Sequence, residues 1–445
     1  MSSHMSLGAF LHGFGHHQSA WRHPSTDIDS EFSLDHYAKL AGIAERGRFD
    51  MVFLADVAGW RDWESETMKH MPRSAVFEPV TLLTALAMKT SHIGLVATAS
   101  TSYYEPFVIA RLYSSIDSLS GGRVGWNLVT STTESEAQNF GLTSQIPHSK
   151  RYERAEEFAT VVKGLWDSWA DDAFVRDKET SVYFDPKKVK ELNHVGNFFS
   201  VKGPLNSPRA PQGHPVVVQA GSSEAGRELA AKTADVIFTA QPKIEDAQAF
   251  YADVKGRVAK HGRRPDQLKI LPGVVATIGR TMAEAQEKYD EMQSLVPPAV
   301  GLAQLRDLFG GFDLSSYPLD GPLPEIPETE GGKTRRQILI DMARRENLTI
   351  RQLYQRATAA RGFLSLIGTP EMVADELERW FKGGAADGFN IMPPVMSHDL
   401  EDFVDLVVPI LQERGLFRTD YAEKTLRGHL GLERPVSPFE KGAKE

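Results

Sequence analysis

At 445 residues, with 41% hydrophobic, 9% aromatic and 24% charged side chains, the chain has the make-up of an ordinary globular protein with an ample core. A net charge of −9, with no basic stripe interleaved with aromatics, argues against nucleic-acid binding. The absence of cysteine excludes disulfides, thiolate metal sites and cysteine nucleophiles, so catalysis must rest on other side chains or on a cofactor.

Strand-like apolar runs at 7–13, 51–56, 93–101, 123–130, 216–220, 236–240, 270–278 and 389–393 alternate with amphipathic helical runs at 34–46, 106–119, 152–169, 223–232, 244–261, 282–295 and 370–381. The length admits two or three domains or one barrel with insertions, and the eight βα units predict a closed α/β barrel. We expect a single domain over 6–421, with 422–445 as a C-terminal arm packed on the barrel or on a partner subunit. Two stretches interrupt the rhythm. Residues 170–215 predict an insertion carrying a β-hairpin around Val182-Tyr183-Phe184 and Phe198-Phe199-Ser200-Val201. Residues 297–368 combine a Gly/Pro-rich loop over 310–332 with helices over 335–345 and 349–360, and are a candidate lid. A last helix is expected over 399–414. The most apolar region, 80–99, is broken by Lys89 and His92, which argues against a membrane span. No signal-peptide pattern is seen, so a cytoplasmic protein is expected. Ser2-Ser3-His4-Met5 resembles a cloning remnant and is set aside.

Polar residues gather at strand carboxyl ends, where α/β barrels place their chemistry. In Gly121-Gly122-Arg123-Val124-Gly125-Trp126-Asn127-Leu128-Val129-Thr130-Ser131, the glycines end a helix and Asn127, Thr130 and Ser131 interrupt an apolar strand. They ask for a ligand, although an Asn there can also tie down a loop. Asp56 ends the second strand, as a functional carboxylate or as a cap. The hydroxyls of 97–101 face the barrel mouth or fill a tight layer. His148 and Tyr152, four apart at the start of a helix, share one face. Gln219-Ala220-Gly221-Ser222-Ser223 forms a strand, a glycine turn and a helix start, whose free N–H groups and hydroxyls favour an anion, phosphate above all. An ordinary Ser N-cap explains one of these serines but not the whole turn. The histidines around Gly15-His16-His17 lack the spacing and carboxylate partners of a metal site, and His16 is expected to line a cavity. No P-loop, Rossmann fingerprint or nucleophile elbow is present. What remains is a phosphate-bearing cofactor at a barrel mouth, with no metal.

Gly15-His16-His17-x-x-Ala20-Trp21-Arg22-His23-Pro24, Phe53-Leu54-Ala55-Asp56, Gly122 to Ser131 and Gln219 to Ser223 occur together and in order. With these motifs the chain resembles the nitrilotriacetate and dibenzothiophene-sulfone monooxygenases of the bacterial-luciferase-like flavin barrels, to which long-chain alkane monooxygenase is also related. The likeness runs from about Leu7 to Tyr421. It implies a luciferase-like TIM-type (β/α)8 barrel that takes reduced FMN from a separate NAD(P)H-dependent flavin reductase, by diffusion of FMNH2. Position by position, it implies that Asp56 and Thr98 approach the flavin ring, that His148, Tyr152 and Ser223 hold the ribityl phosphate, and that Asn127 and Ser222 contribute.

The implied reaction is a monooxygenation through a peroxyflavin formed with O2, in which the protein orients the substrate and excludes water. His16 would hydrogen-bond the peroxide or the substrate, with Asn127 as a second catalytic candidate, while Phe10, Phe53 and Trp60 line an apolar substrate pocket. A small organosulfur or C–N compound is the expected substrate. Arg61, Lys69 and Arg73 are either cationic anchors or solvated surface charge. The alternatives are a deazaflavin-dependent oxidoreductase on the same barrel and a flavin-binding protein without turnover. A homodimer or homotetramer is expected through the helix bearing Leu82, Leu83, Leu86 and Met88.

Overall fold

The computed structural model describes residues 4–60, 68–72, 75–327, 333–359 and 362–441. Its strands are β1 (Ser6–Phe10), β2 (Met51–Leu54), β3 (Gly94–Ser100), β4 (Val124–Val129), β5 (His194–Val195), β6 (Ser200–Val201), β7 (Val216–Gln219), β8 (Val236–Thr239), β9 (Lys269–Ile278), β10 (Leu364–Gly368) and β11 (Gly388–Ile391). Strands β1, β2, β3, β4, β7, β8, β9 and β11 pair in parallel in that order, and β11 returns to β1, so the sheet closes into an eight-stranded barrel. These are the eight strands expected from the sequence, each trimmed by a residue or more at one end or both, except that β1 and β9 begin one residue earlier, β1 ending at Phe10, and β11 is shifted to 388–391.

Strand alternation divides the barrel residues into two cores. Leu7, Val52, Leu95, Trp126 and Val217 point outward and pack under the helices, while Met51, Phe53, Val96, Val216, Val236 and Leu271 fill the interior. Arg123 explains itself structurally: its buried guanidinium donates to Thr90 Oγ1 and to the carbonyls of Ala87, Thr90, Ile93 and Ser120, tying β4 to its neighbours. The interior is sealed below by the end of the chain. Leu426, Leu430 and Leu432 join the inner core, Leu426 accepts no substitute for Gly94 opposite it (a Cβ there would lie 2.4 Å from Leu426 Cδ1), and Arg427 pairs with Asp235 at 2.9 Å. The arm therefore packs on the barrel.

Four expectations need correction. Strand β10 lies inside the second insertion. Val274 of β9 pairs with Ile391 on one edge and Leu364 on the other, so β10 continues the line of β8 above the barrel rim. That insertion also has a further helix, Pro298–Leu308, and a small core of its own that includes Leu305, Phe309, Leu353 and Tyr354. The hairpin of the first insertion is β5 with β6, whereas Val182 makes only a single bridge to Asp177. Finally, Leu82, Leu83 and Leu86 of the helix Pro79–Ala87 are buried in the chain's own core, which leaves Met88 exposed and the others unavailable to a partner. Among the described residues, no helix is long and apolar enough to cross a membrane.

Candidate active site

Thr98 and Asn127 lie side by side in register on β3 and β4 and face the barrel interior. Thr98 Oγ1 donates to the Leu54 carbonyl at 2.9 Å, and Asn127 Nδ2 donates to Thr98 Oγ1 at 2.8 Å. Asn127 Oδ1 is buried and has no hydrogen-bond partner among the described residues. A buried acceptor left unpaired is costly, and its natural complement is a ligand N–H.

A cavity of about 250 Å³ at this rim is lined by Asp56, Thr98, Ser100, Tyr104, Ser131 and Glu136, among others. Burial, reinforced by Glu78 and Glu136, pushes the Asp56 carboxyl up to about 6. Glu136 is buried and caps its own helix in a box with Thr133; it accepts from Ser131 Oγ and Thr133 Oγ1, each at 2.8 Å, and from the Ala58 amide at 3.3 Å. It thereby clamps the loop after β2 onto the loop after β4. Ser131 has a left-handed φ of 48°, a conformation that costs a non-glycine residue about 1–3 kcal/mol. Its hydroxyl contact with Glu136 and the Arg151 guanidinium on its carbonyl hold it there.

The second half of the rim has the character of an anion site. The helix His148–Trp166 begins with His148, and the His148 and Tyr152 rings lie 4.8 Å apart. Ser223 Oγ donates to the Tyr152 hydroxyl at 3.4 Å and accepts from the Gly226 amide at 3.1 Å as N-cap of the helix Glu224–Thr233. Gly221 and Gly226 let the turn fold against this helix: a Cβ on either would lie 2.9 Å from the backbone of the other and would crowd the Tyr152 hydroxyl. Ser222 and Ser223 are exposed beside the free N–H groups of the helix end.

Phe10, Phe53 and Phe238 form an aromatic layer inside the barrel, with ring separations of 4.8, 5.8 and 5.8 Å. His16 packs edge-on against Phe10 at 4.5 Å, with Nε2 2.8 Å from the Phe10 carbonyl. Trp60 is 50% exposed and lines neither cavity at the barrel mouth. Arg61 and Arg73 lie outside the described residues. The sequence reading missed Glu136, Tyr103 and Tyr104. The Thr133-x-x-Glu136 spacing is a capping-box signature that would have located Glu136.

A closed parallel barrel with a polar, ligand-ready carboxyl mouth defines an α/β-barrel enzyme. The chain belongs to the luciferase-like monooxygenases, whose family model, described as "Luciferase-like monooxygenase", matches residues 9–387. It is 52% identical over 439 residues to the N-acetyl-S-(2-succino)cysteine monooxygenase of Bacillus subtilis (strain 168), covering 98% of each chain. It is 50% identical over 445 residues to the nitrilotriacetate monooxygenase component A of Aminobacter aminovorans, again covering 98% of each. Among solved structures, riboflavin lyase with modified FMN and riboflavin superposes with a TM-score of 0.81 at 33% identity, covering 97% of both chains.

Proposed function

We propose that the protein is the oxygenase of a two-component system, taking reduced FMN from a separate NAD(P)H:flavin reductase and inserting one atom of O2 into a small organosulfur or C–N substrate. The observation that carries this reading is the pairing of two features on one rim: the buried, unpartnered Asn127 Oδ1 and the Tyr152–Ser223 anion site built on Gly221 and Gly226. A flavin mononucleotide has a ring N–H for the first and a phosphate for the second. The relatives support it: one is called component A, one acts on a sulfur compound and one on an amine, and a structural neighbour holds modified FMN.

In this reading Asn127 and Asp56 meet the ring with Thr98 fixing the Asn127 amide, while His148, Tyr152, Ser222 and Ser223 hold the phosphate. Bound in reduced form, the flavin supplies the electrons that activate O2. The chain's own work is to position and to dry. The aromatic layer of Phe10, Phe53 and Phe238 walls the interior, His16 is held over it with Nε2 on the Phe10 carbonyl and is the group proposed to hydrogen-bond the substrate through its ring, and the described residues of the 297–368 insertion act as the lid. The oligomer is a homodimer or homotetramer.

The test is anaerobic titration with reduced FMN, followed by mixing with oxygenated buffer. Saturable binding and slower reoxidation than that of free flavin are expected. Absence of binding, together with binding of a reduced deazaflavin, would transfer the protein to hydride chemistry.

A further inference from the structure

A second cavity, of about 460 Å³, opens at the same end of the barrel but is built from different elements. One wall is the β9–β10 ribbon above the rim, where Phe363, Val275, Ser365 and Thr277 line the chamber, Val275 and Ser365 being register partners. The helix Met282–Ser294 supplies Tyr289 and Met292. His16 lines it too, and its ring rests on Phe10 of the aromatic layer, so the chamber adjoins the barrel interior.

The polar side chains lining the chamber are Thr277, Ser365, Tyr289, Gln293, His16 and His17. Thr277, Ser365 and Tyr289 carry hydroxyls that have no hydrogen-bond partner among the described residues, and none of the residues lining the chamber is a carboxylate. Arg356, ion-paired to Glu346, lies near enough to act electrostatically on Tyr289. Hydroxyls and the Gln293 amide can each donate to a carboxylate, and with no anionic side chain in the lining to repel it these would be the stronger, charge-assisted hydrogen bonds. Val275, Met292 and Phe363 offer methylene-length apolar contact beside them.

We infer that this ribbon-walled chamber binds a carboxylate-bearing arm of the substrate through Thr277, Ser365 and Tyr289. The inference rests on the monooxygenase reading and narrows its substrate to amphiphilic carboxylates carrying sulfur or nitrogen.

The test is calorimetric titration of the full-length protein with nitrilotriacetate and N-acetyl-S-(2-succino)cysteine as carboxylate probes and dibenzothiophene sulfone as a neutral one, in the parent and in Thr277→Val, Ser365→Ala and Tyr289→Phe. At least one carboxylate probe should bind, and each variant should weaken it about tenfold while leaving reduced-FMN affinity unchanged. Equal binding to parent and variants, binding of the neutral probe alone, or no probe binding by a protein that takes up reduced FMN would each overturn the assignment. Failure to bind reduced FMN is a separate result and counts against the flavin reading whatever the probes do.

Discussion

Asn127 Nδ2 donates to Thr98 Oγ1 at 2.8 Å, and because Thr98 has already given its proton to the Leu54 carbonyl, the amide is locked with its oxygen outward from that pair. The chain of donors is directional, so each member has a separate signature. Thr98→Val removes the acceptor and leaves a buried N–H unpaired, which should cost about 1–3 kcal/mol in denaturant unfolding. Asn127→Ala removes the donor to Thr98 together with the unpartnered Oδ1, and leaves Thr98 bonded to the Leu54 carbonyl. It should weaken reduced-FMN binding by tenfold or more, with fluorescence titration as the readout, an order set by the loss of one hydrogen bond in a dry site of about 1–2 kcal/mol.

Ser223 and Ser222 separate stability from binding. Ser223 caps a helix, so Ser223→Ala should lose about 1 kcal/mol of unfolding free energy as well as FMN affinity. Ser222 is exposed and caps nothing, so Ser222→Ala should lose affinity alone. In both, the loss should be confined to FMN and be absent with riboflavin, which lacks the phosphate. An equal loss for both flavins would remove the phosphate from this turn.

The Asp56 carboxyl gives a pH signature. Its ordinary value of 3.8 is pushed up to about 6 by burial and by Glu78 and Glu136. Below the ordinary value the group is neutral in both folded and unfolded chains and costs nothing. As pH rises through the folded value it must ionise against its surroundings, and the fold loses stability. Asp56→Asn should therefore melt higher than the parent at about pH 8, the gap closing towards about pH 4. Thermal melts across that range check it, and a gap that widens at low pH would reverse the assignment.

Subunit pairing needs a surface other than the buried leucines of Pro79–Ala87. Met88, Val108, Leu112 and Leu119 are exposed on the adjoining helical layer, between 38% and 63%. Light scattering at micromolar concentration should give a dimer or tetramer. Leu112→Lys with Leu119→Glu should shift it towards monomer without changing the fold.

The barrel was legible because its strands are buried on both faces and so read as unbroken apolar, β-branched runs such as Val216-Val217-Val218. β10 was not, because Leu364 to Gly368 is half-exposed and set inside an insertion whose helices dominate the pattern. The Gly-Ser-Ser turn and the Asn127 strand announced themselves as polar interruptions at strand ends. The second chamber was marked only at His16: Val275, Tyr289 and Ser365 come from three further segments, and the ribbon's pairing brings Val275 and Ser365 together. Glu136 was missed because a cap and a loop clamp look alike in sequence.

The leucines that seal the barrel floor, Leu426, Leu430 and Leu432, are translated after every one of its strands. A ribosome-bound chain with all eight strands already emerged still exposes an unfilled apolar interior, and a chain at that stage is a natural client for a chaperone. Closure of this barrel should thus wait on the segment carrying Leu426, Leu430 and Leu432, and a break in the chain before it would act first on the yield of folded protein and only afterwards on its chemistry.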